Sequence, residues 1–189
     1  MDKKTLSERD VCTKYITPAI KKAGWDIHKQ VREEVFFTDG RIIVQGSLHT
    51  RGKRKRADYI LYYKSNIPIA IVEAKDNKKA AGAGMQQALE YSEILQLPFV
   101  FTSNGDSFIF HDKTNSKEIE KELSMDEFPS PSMLWEKYLN YKGIESPKER
   151  EIVEQDYHTD DSGMNPRYYQ ANAVNRTIEA IAKGQDRIL

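Results

Sequence analysis

The chain has 189 residues in which 29 Lys and Arg balance 29 Asp and Glu, so the formal net charge is zero; 31% of residues are charged and 39% apolar. That length suffices for one domain with a substantial core, or for one domain and part of another. The lone cysteine, Cys12, excludes an intramolecular disulfide, and no apolar run approaches the roughly 20 residues that a membrane-crossing helix needs. The N-terminal MDKKTLSERD lacks the apolar stretch of a secretory signal. A soluble globular protein, cytoplasmic in location, is the simplest expectation. Zero net charge leaves a nucleic-acid partner open, because charge can be distributed unevenly along the chain.

In chain order, Ser7 or Asp10 can cap a first helix whose apolar stripe runs Cys12, Ile16, Ile20 and Ala23; Pro18 should kink it and Gly24 stop it. Strands are predicted at 31–37 and 41–45, separated by the turn signal Asp39-Gly40. A hairpin comes next, because 57–63 (ADYILYY) and 67–75 (IPIAIVEAK) are rich in β-branched and aromatic residues and flank Ser65-Asn66. In 78–96, Met85, Leu89, Ser92 and Leu95 or Ile94 recur at helical spacing, with a start near Gly84 because Gly82 and Gly84 weaken the earlier turns. Short strands at 98–102 and 107–111 are joined by Asn104-Gly105. Beyond His111 the chain turns polar over 112–121, and Pro129, Pro131 and Pro147 punctuate the C-terminal third. Helices are predicted at 131–141, capped by Ser130, and at 147–155; 156–166 (DYHTDDSGMNP) reads as a linker, and 167–183 as a last helix. Ile188-Leu189 reads as the start of a strand, as though the chain continued into something longer. The alternation of helices and strands predicts an α/β fold, a sheet with helices on its faces.

The chemistry concentrates in the hairpin. With Ser65-Asn66 at the turn, Asp58 falls directly opposite Glu73. Opposed residues share a face with Cβ atoms about 4.5–5.5 Å apart, where two like charges are destabilising unless neutralised. A divalent cation would neutralise them. Lys75 lies two residues beyond Glu73, so its ammonium points to the same side, and Ile69 and Ile71 precede both on that face. Magnesium takes carboxylate oxygens while keeping water and room for phosphate, and it can polarise a phosphoryl oxygen and acidify its water. Lys75 would position or help deprotonate that water. Spacing alone leaves an alternative, a salt bridge of Lys75 with Asp58 or Glu73.

Arg51-Gly52-Lys53-Arg54-Lys55-Arg56 places five cations immediately before Asp58, so phosphate-binding charge reaches the threshold of the acidic pair. A solvated loop or a targeting signal is the alternative. His28, His49, His111 and His158 are too scattered for a zinc site, and no helix-turn-helix or zinc finger is present, so little sequence selectivity is expected of this chain.

An Asp followed by Glu-x-Lys at the end of an apolar strand, with a helix before and after, resembles the core of the PD-(D/E)xK nucleases. Ala57-Asp58 stands where the name puts Pro-Asp, a departure that leaves the acid in place. Gln87 and Tyr91 match the Gln-x-x-x-Tyr motif of a subset of that superfamily; four apart, they share one helix face, which without the resemblance would read as a solvated face. Glu8 falls where many members carry a further acid. Asn165-Pro166-Arg167-Tyr168-Tyr169-Gln170 and the helix after it resemble the entry to a superfamily 2 helicase or translocase domain, in which the Gln, here Gln170, contacts adenine. Read without that resemblance, the segment is an amphipathic helix with Ala173, Ile178 and Ile181 as its core face. The Gly-Lys-Thr/Ser phosphate loop is not in this sequence, so the chain by itself is not expected to hydrolyse ATP.

A nuclease core with Gln-x-x-x-Tyr, a linker and a translocase entry is together similar to the N-terminal part of the restriction (R) subunit of type I restriction-modification enzymes. The resemblance implies a PD-(D/E)xK restriction-endonuclease-like α/β core, a mixed sheet flanked by helices, with a helical C-terminal extension. It divides the chain into a nuclease domain at 1–125, a helical extension and linker at 126–165, and the start of a translocase domain at 166–189. It implies a magnesium-dependent endodeoxyribonuclease acting on double-stranded DNA, away from any membrane. The full subunit would use ATP to move DNA and would join specificity and methyltransferase subunits. In those terms Asp58, Glu73 and Lys75 are the catalytic set. Asp58 and Glu73 hold Mg2+, with Glu8 as a further candidate ligand. Gln87, Tyr91, Arg54, Lys55 and Arg56 contact DNA, and Gln170 binds the nucleotide in the full-length protein only. Two other readings stay open: the nuclease of a helicase-linked repair enzyme or of a phage or plasmid, and a non-catalytic DNA-binding or assembly module.

Overall fold

The computed structural model describes residues 3–38, 42–45, 48–51, 53–117, 119–156 and 166–187. Helix α1 (Glu8–Val11) is capped by Ser7, whose hydroxyl accepts from the Asp10 amide while the Asp10 carboxylate accepts from the Ser7 amide. It runs through one wide π turn (Cys12–Ile16) into α2 (Thr17–Lys22). Pro18 has no amide hydrogen to give the preceding turn, and the backbone widens just before it, with Thr17 N donating to Cys12 O five residues back. The proline kink expected from the sequence therefore takes the form of a wide turn. Gly24, at φ +97°, ends the run.

Five strands come next: β1 (Val31–Thr38), β2 (Ile42–Gln45), β3 (Leu48–Arg51), β4 (Arg54–Tyr62) and β5 (Pro68–Ala74). A tight turn at Ala81–Gly84 leads into α3 (Met85–Leu95), then β6 (Phe99–Ser103), β7 (Ser107–Asp112) and β8 (Glu120–Ser124). Helices α4 (Pro131–Lys142), α5 (Pro147–Val153) and α6 (Tyr168–Ala182) complete the chain. The six-stranded sheet has the order β1-β4-β5-β6-β7-β8, and β2 and β3 form a separate two-stranded hairpin. Only β5 and β6 pair in parallel; every other pairing in the large sheet is antiparallel. A parallel pair needs a crossover, and α3 supplies it.

Each face of this mixed sheet is covered. On one side Val11, Ile16 and Trp25 of the N-terminal region pack with Phe99, Phe101 and Phe108 of the sheet and with Leu134, Trp135 and Leu139 of α4. On the other, Met85, Ala88 and Leu95 of α3 cover Ile60, Ile71 and Val100. Trp25 Nε1 donates to Pro129 O at 2.9 Å, and Trp135 stacks on Tyr63 with ring centres 4.2 Å apart, so the helices after residue 130 share the core of the sheet. Helix α6 lies against the same body: the Tyr168 hydroxyl donates to Thr38 O at 3.0 Å, Asn172 to Leu95 O at 3.0 Å and Asn175 to Asn66 O at 2.9 Å.

Two segments differ from the sequence reading. Strand β8 occupies part of the stretch read as merely polar, because an edge strand needs only one buried side, here Leu123, and its charges face water. Strand β4 begins at Arg54, so the basic run enters the sheet: pairing with β1 outweighs the low β-propensity of lysine and arginine. The Asp39-Gly40 turn, most of the linker (157–165) and Ile188-Leu189 lie outside the described residues.

Candidate active site

Strands β4 and β5 pair as Tyr59↔Val72, Ile60↔Ile71 and Leu61↔Ala70, which one step further sets Asp58 opposite Glu73. The contact is direct. Ala74 N donates to Asp58 Oδ2 at 2.8 Å, and Asp58 N donates to Glu73 Oε1 at 3.4 Å. On the other flank of β4, Glu33 pairs with Tyr59 and Val35 with Ala57, while the intervening Glu34 leaves the ladder at φ +51° and pairs through its carboxylate with Arg56. A glutamate in that left-handed region marks an irregular twist in the strand. The layers change there too: Ala57 packs on the α3 side, whereas Tyr59 joins the layer under the N-terminal helices.

Glu73 is 1% exposed. Burial, and then the charge of Asp58, push its carboxyl up to about 8; Lys75 and the Asp58 amide act in the opposite sense, and Glu8 adds to the rise. A carboxyl that would be ionised in neutral water therefore keeps its proton here unless positive charge is supplied. Gln87, from α3, bridges the acid and the lysine: its Nε2 donates to Glu73 Oε2 at 2.8 Å, and its Oε1 accepts from Lys75 Nζ at 3.4 Å. The stem of Lys75 runs beneath Gly84, where a Cβ would stand 3.0 Å from Lys75 Cε and 3.5 Å from Thr102 Cγ2. The missing side chain is what permits so close an approach.

Tyr91, one turn beyond Gln87, meets Phe37 edge-on at 5.1 Å and has the Lys55 ammonium 5.5 Å from its ring centre. Desolvation and then the charge of Glu73 raise its hydroxyl pKa, which ties it electrostatically to the acidic pair. Glu8 acts on Glu73 through its charge. Among the described residues no three His, Cys, Asp or Glu side chains gather into a cluster able to hold a metal. An ion here would rest on Asp58 and Glu73, two hard oxygen donors that leave the other coordination positions to water and phosphate. That donor set fits magnesium and disfavours zinc.

The basic run is divided by strand alternation. Arg54 and Arg56 lie on one side, both exposed: the Arg54 guanidinium sits 3.8 Å from the centre of the Phe36 ring, and Arg56 pairs with Glu34 at 3.3 Å. Lys55 turns to the α3 side, is 18% exposed and pairs with Glu90. Gly52 and the side chain of Arg51 lie outside the described residues. Gln170 is exposed at the start of α6, where its Oε1 accepts from Arg167 N at 2.9 Å. Of the three residues expected on that helix's apolar face, Ile178 packs against the core, but Ala173 is exposed and Ile181 is 54% exposed. Polar anchors such as Asn172 and Asn175 hold the helix in their place. Gly84 and Thr102 join the site only through the β5–β6 pairing and the turn above it; the sequence marks Gly84 as a helix start and gives no local sign that either residue belongs to the site.

A mixed sheet between two helical layers, with an acidic pair and a lysine where β5 leaves for its crossover helix, makes this an α/β nuclease-like core. Residues 27–129 match the family described as type I restriction enzyme R protein N terminus (HSDR_N). The type I restriction enzyme EcoAI endonuclease subunit of Escherichia coli is 48% identical over 186 residues, which cover 97% of this chain and 23% of that protein. A fragment structure assigned to the HsdR subunit of a type I restriction enzyme from Vibrio vulnificus YJ016 matches with a TM-score of 0.80 at 38% identity, over 96% of this chain and 34% of that one. The chain belongs to the family of type I restriction enzyme R protein N-terminal regions. It spans about a quarter of the length of the curated relative. No helix among the described residues is long and apolar enough to cross a membrane.

Proposed function

We propose that this chain is the DNA-cleaving unit of a type I restriction enzyme R subunit, hydrolysing phosphodiester bonds of double-stranded DNA in the cytoplasm with the help of Mg2+. The observation that carries the reading is the opposed pair Asp58 and Glu73, with Glu73 buried and its carboxyl raised to about 8. Burying one like charge beside another is costly, and a bound cation is the natural compensation. The salt-bridge alternative requires Lys75 to pair with one of the acids. Among the described residues its ammonium makes no such ion pair, and it donates instead to Gln87.

Asp58 and Glu73 would hold the ion, which when bound supplies Lewis-acid polarisation of the phosphate and of a water molecule. The chain's own groups do the rest. The Ala74 amide fixes the Asp58 carboxylate, and Gln87 orients both Glu73 and Lys75. Lys75 presents positive charge to the phosphate or to the water. Tyr91 and Lys55 line the α3 side, while Arg54 and Arg56 offer phosphate contacts from the exposed side of β4. In the full-length subunit Gln170 would meet the adenine of ATP, and specificity and methyltransferase subunits would complete the enzyme. The test is made in that assembled enzyme: Asp58→Ala, Glu73→Ala and Lys75→Ala should each abolish Mg2+-dependent cleavage and leave ATP hydrolysis intact. Cleavage retained by all three variants rejects the proposal.

A further inference from the structure

Thr102 stands beside Glu73 in the parallel register of β5 and β6, and it is 0% exposed. Alternation turns it to the α3 side, since Val100 packs beneath α3 while Phe99 and Phe101 join the opposite layer. Its methyl group and the stem of Lys75 both lie against Gly84, so the two side chains occupy one slot next to the acidic pair. Its hydroxyl nevertheless has no hydrogen-bond partner among the described residues. Buried hydroxyls are almost always partnered, and an orphan destabilises the fold that contains it. The only other side chain so placed among the described residues is Asn66, at the turn end of the β4–β5 hairpin, away from the acids.

We infer that the Thr102 hydroxyl is a positioning group of the cleavage site: it hydrogen-bonds a water molecule that Glu73 and Lys75 also contact, and so fixes where that water stands. The assignment rests on the nuclease reading above. No bond is made or broken at Thr102, and its role is orientation. The polar group is kept in a buried, unpartnered place because its partner arrives with the cation and the DNA.

Two complementary substitutions separate this role from simple packing. Thr102→Val keeps the shape and removes the hydroxyl, whereas Thr102→Ser keeps the hydroxyl and removes the methyl. In the full-length subunit assembled with its partners, Thr102→Val should slow Mg2+-dependent cleavage about tenfold or more through kcat, with KM for DNA and ATP hydrolysis unchanged. Thr102→Ser should cleave close to the unsubstituted rate. In the 189-residue chain without divalent ions, Thr102→Val should raise Tm, because the orphaned hydroxyl is gone, and should diminish the further rise that Mg2+ brings. Unimpaired cleavage by Thr102→Val, or an equal loss in both variants, overturns the assignment. A lower Tm for Thr102→Val also overturns it. If the unsubstituted enzyme fails to cleave, it is the nuclease reading that fails, and the Tm comparison still decides: an identical Mg2+ response in Thr102→Val and the unsubstituted chain overturns the role of the hydroxyl.

Discussion

Gln87 Nε2 donates to Glu73 Oε2 at 2.8 Å while the oxygen of the same amide accepts from Lys75 Nζ at 3.4 Å, so a single α3 side chain fixes the acid and the lysine relative to each other. Gln87→Leu keeps most of the volume and removes both bonds. Loss of a donor to an ionised carboxylate costs about 1.5–3 kcal/mol, so cleavage should fall roughly 10- to 100-fold. Because the donor favours the charged form, its removal should also shift the pH–rate profile towards higher pH. An unmoved profile would mean that Gln87 does not act through Glu73.

The buried acid makes the ion-free protein sensitive to pH in a defined direction. The Glu73 carboxyl is raised from 4.5 to about 8 in the fold, so the folded chain holds this proton more tightly than the unfolded one. The stability it contributes is complete below about pH 4.5 and is lost as pH rises through about 8. Glu73→Gln still offers Gln87 an acceptor and cannot ionise. Thermal unfolding without divalent ions should therefore give nearly equal Tm values at about pH 5 and a clear advantage to Glu73→Gln at about pH 9. A Tm difference that stays constant with pH would contradict the raised carboxyl.

For the basic run, replacing Arg54 and Arg56 together by Ala should weaken DNA binding equally across sequences and reduce the slope of log affinity against log salt by about 2. Lys55→Ala should change that slope less, because the Lys55 ammonium is already engaged with Glu90 and lies beside the Tyr91 ring. Binding titrations over a salt series measure both. An unchanged slope in the double variant would remove these arginines from the interface.

The hairpin that holds the acids was legible because two apolar, β-branched strands flank a short turn. The turn itself differs from the expected Ser65-Asn66 pair: Tyr63 N donates to Ile67 O and Tyr62 pairs with Pro68, and an irregularity between Leu61 and Tyr62 restores the register that sets Asp58 opposite Glu73. The crossover was not legible. Nothing local in the stretch from Phe99 to Ser103 says that it pairs in parallel with β5, so the neighbourhood of Thr102 and the contact of Gly84 with Lys75 could not be foreseen. Strand β8 escaped notice for a related reason: with only Leu123 buried, it carries almost no apolar alternation. The basic run was expected to precede the strand at 57–63, yet cross-strand pairing with β1 takes Arg54, Lys55 and Arg56 into it, and that in turn separates Lys55 from Arg54 and Arg56.

Whether Asp58 and Glu73 share a divalent ion can be seen in crystals of this chain soaked in Mn2+ and measured at the manganese absorption edge. An anomalous peak should stand about 2.0–2.6 Å from a carboxylate oxygen of each residue and be absent from Glu73→Ala crystals treated alike. Manganese found elsewhere, with the two carboxylates unligated at saturating ion, would contradict a shared ion.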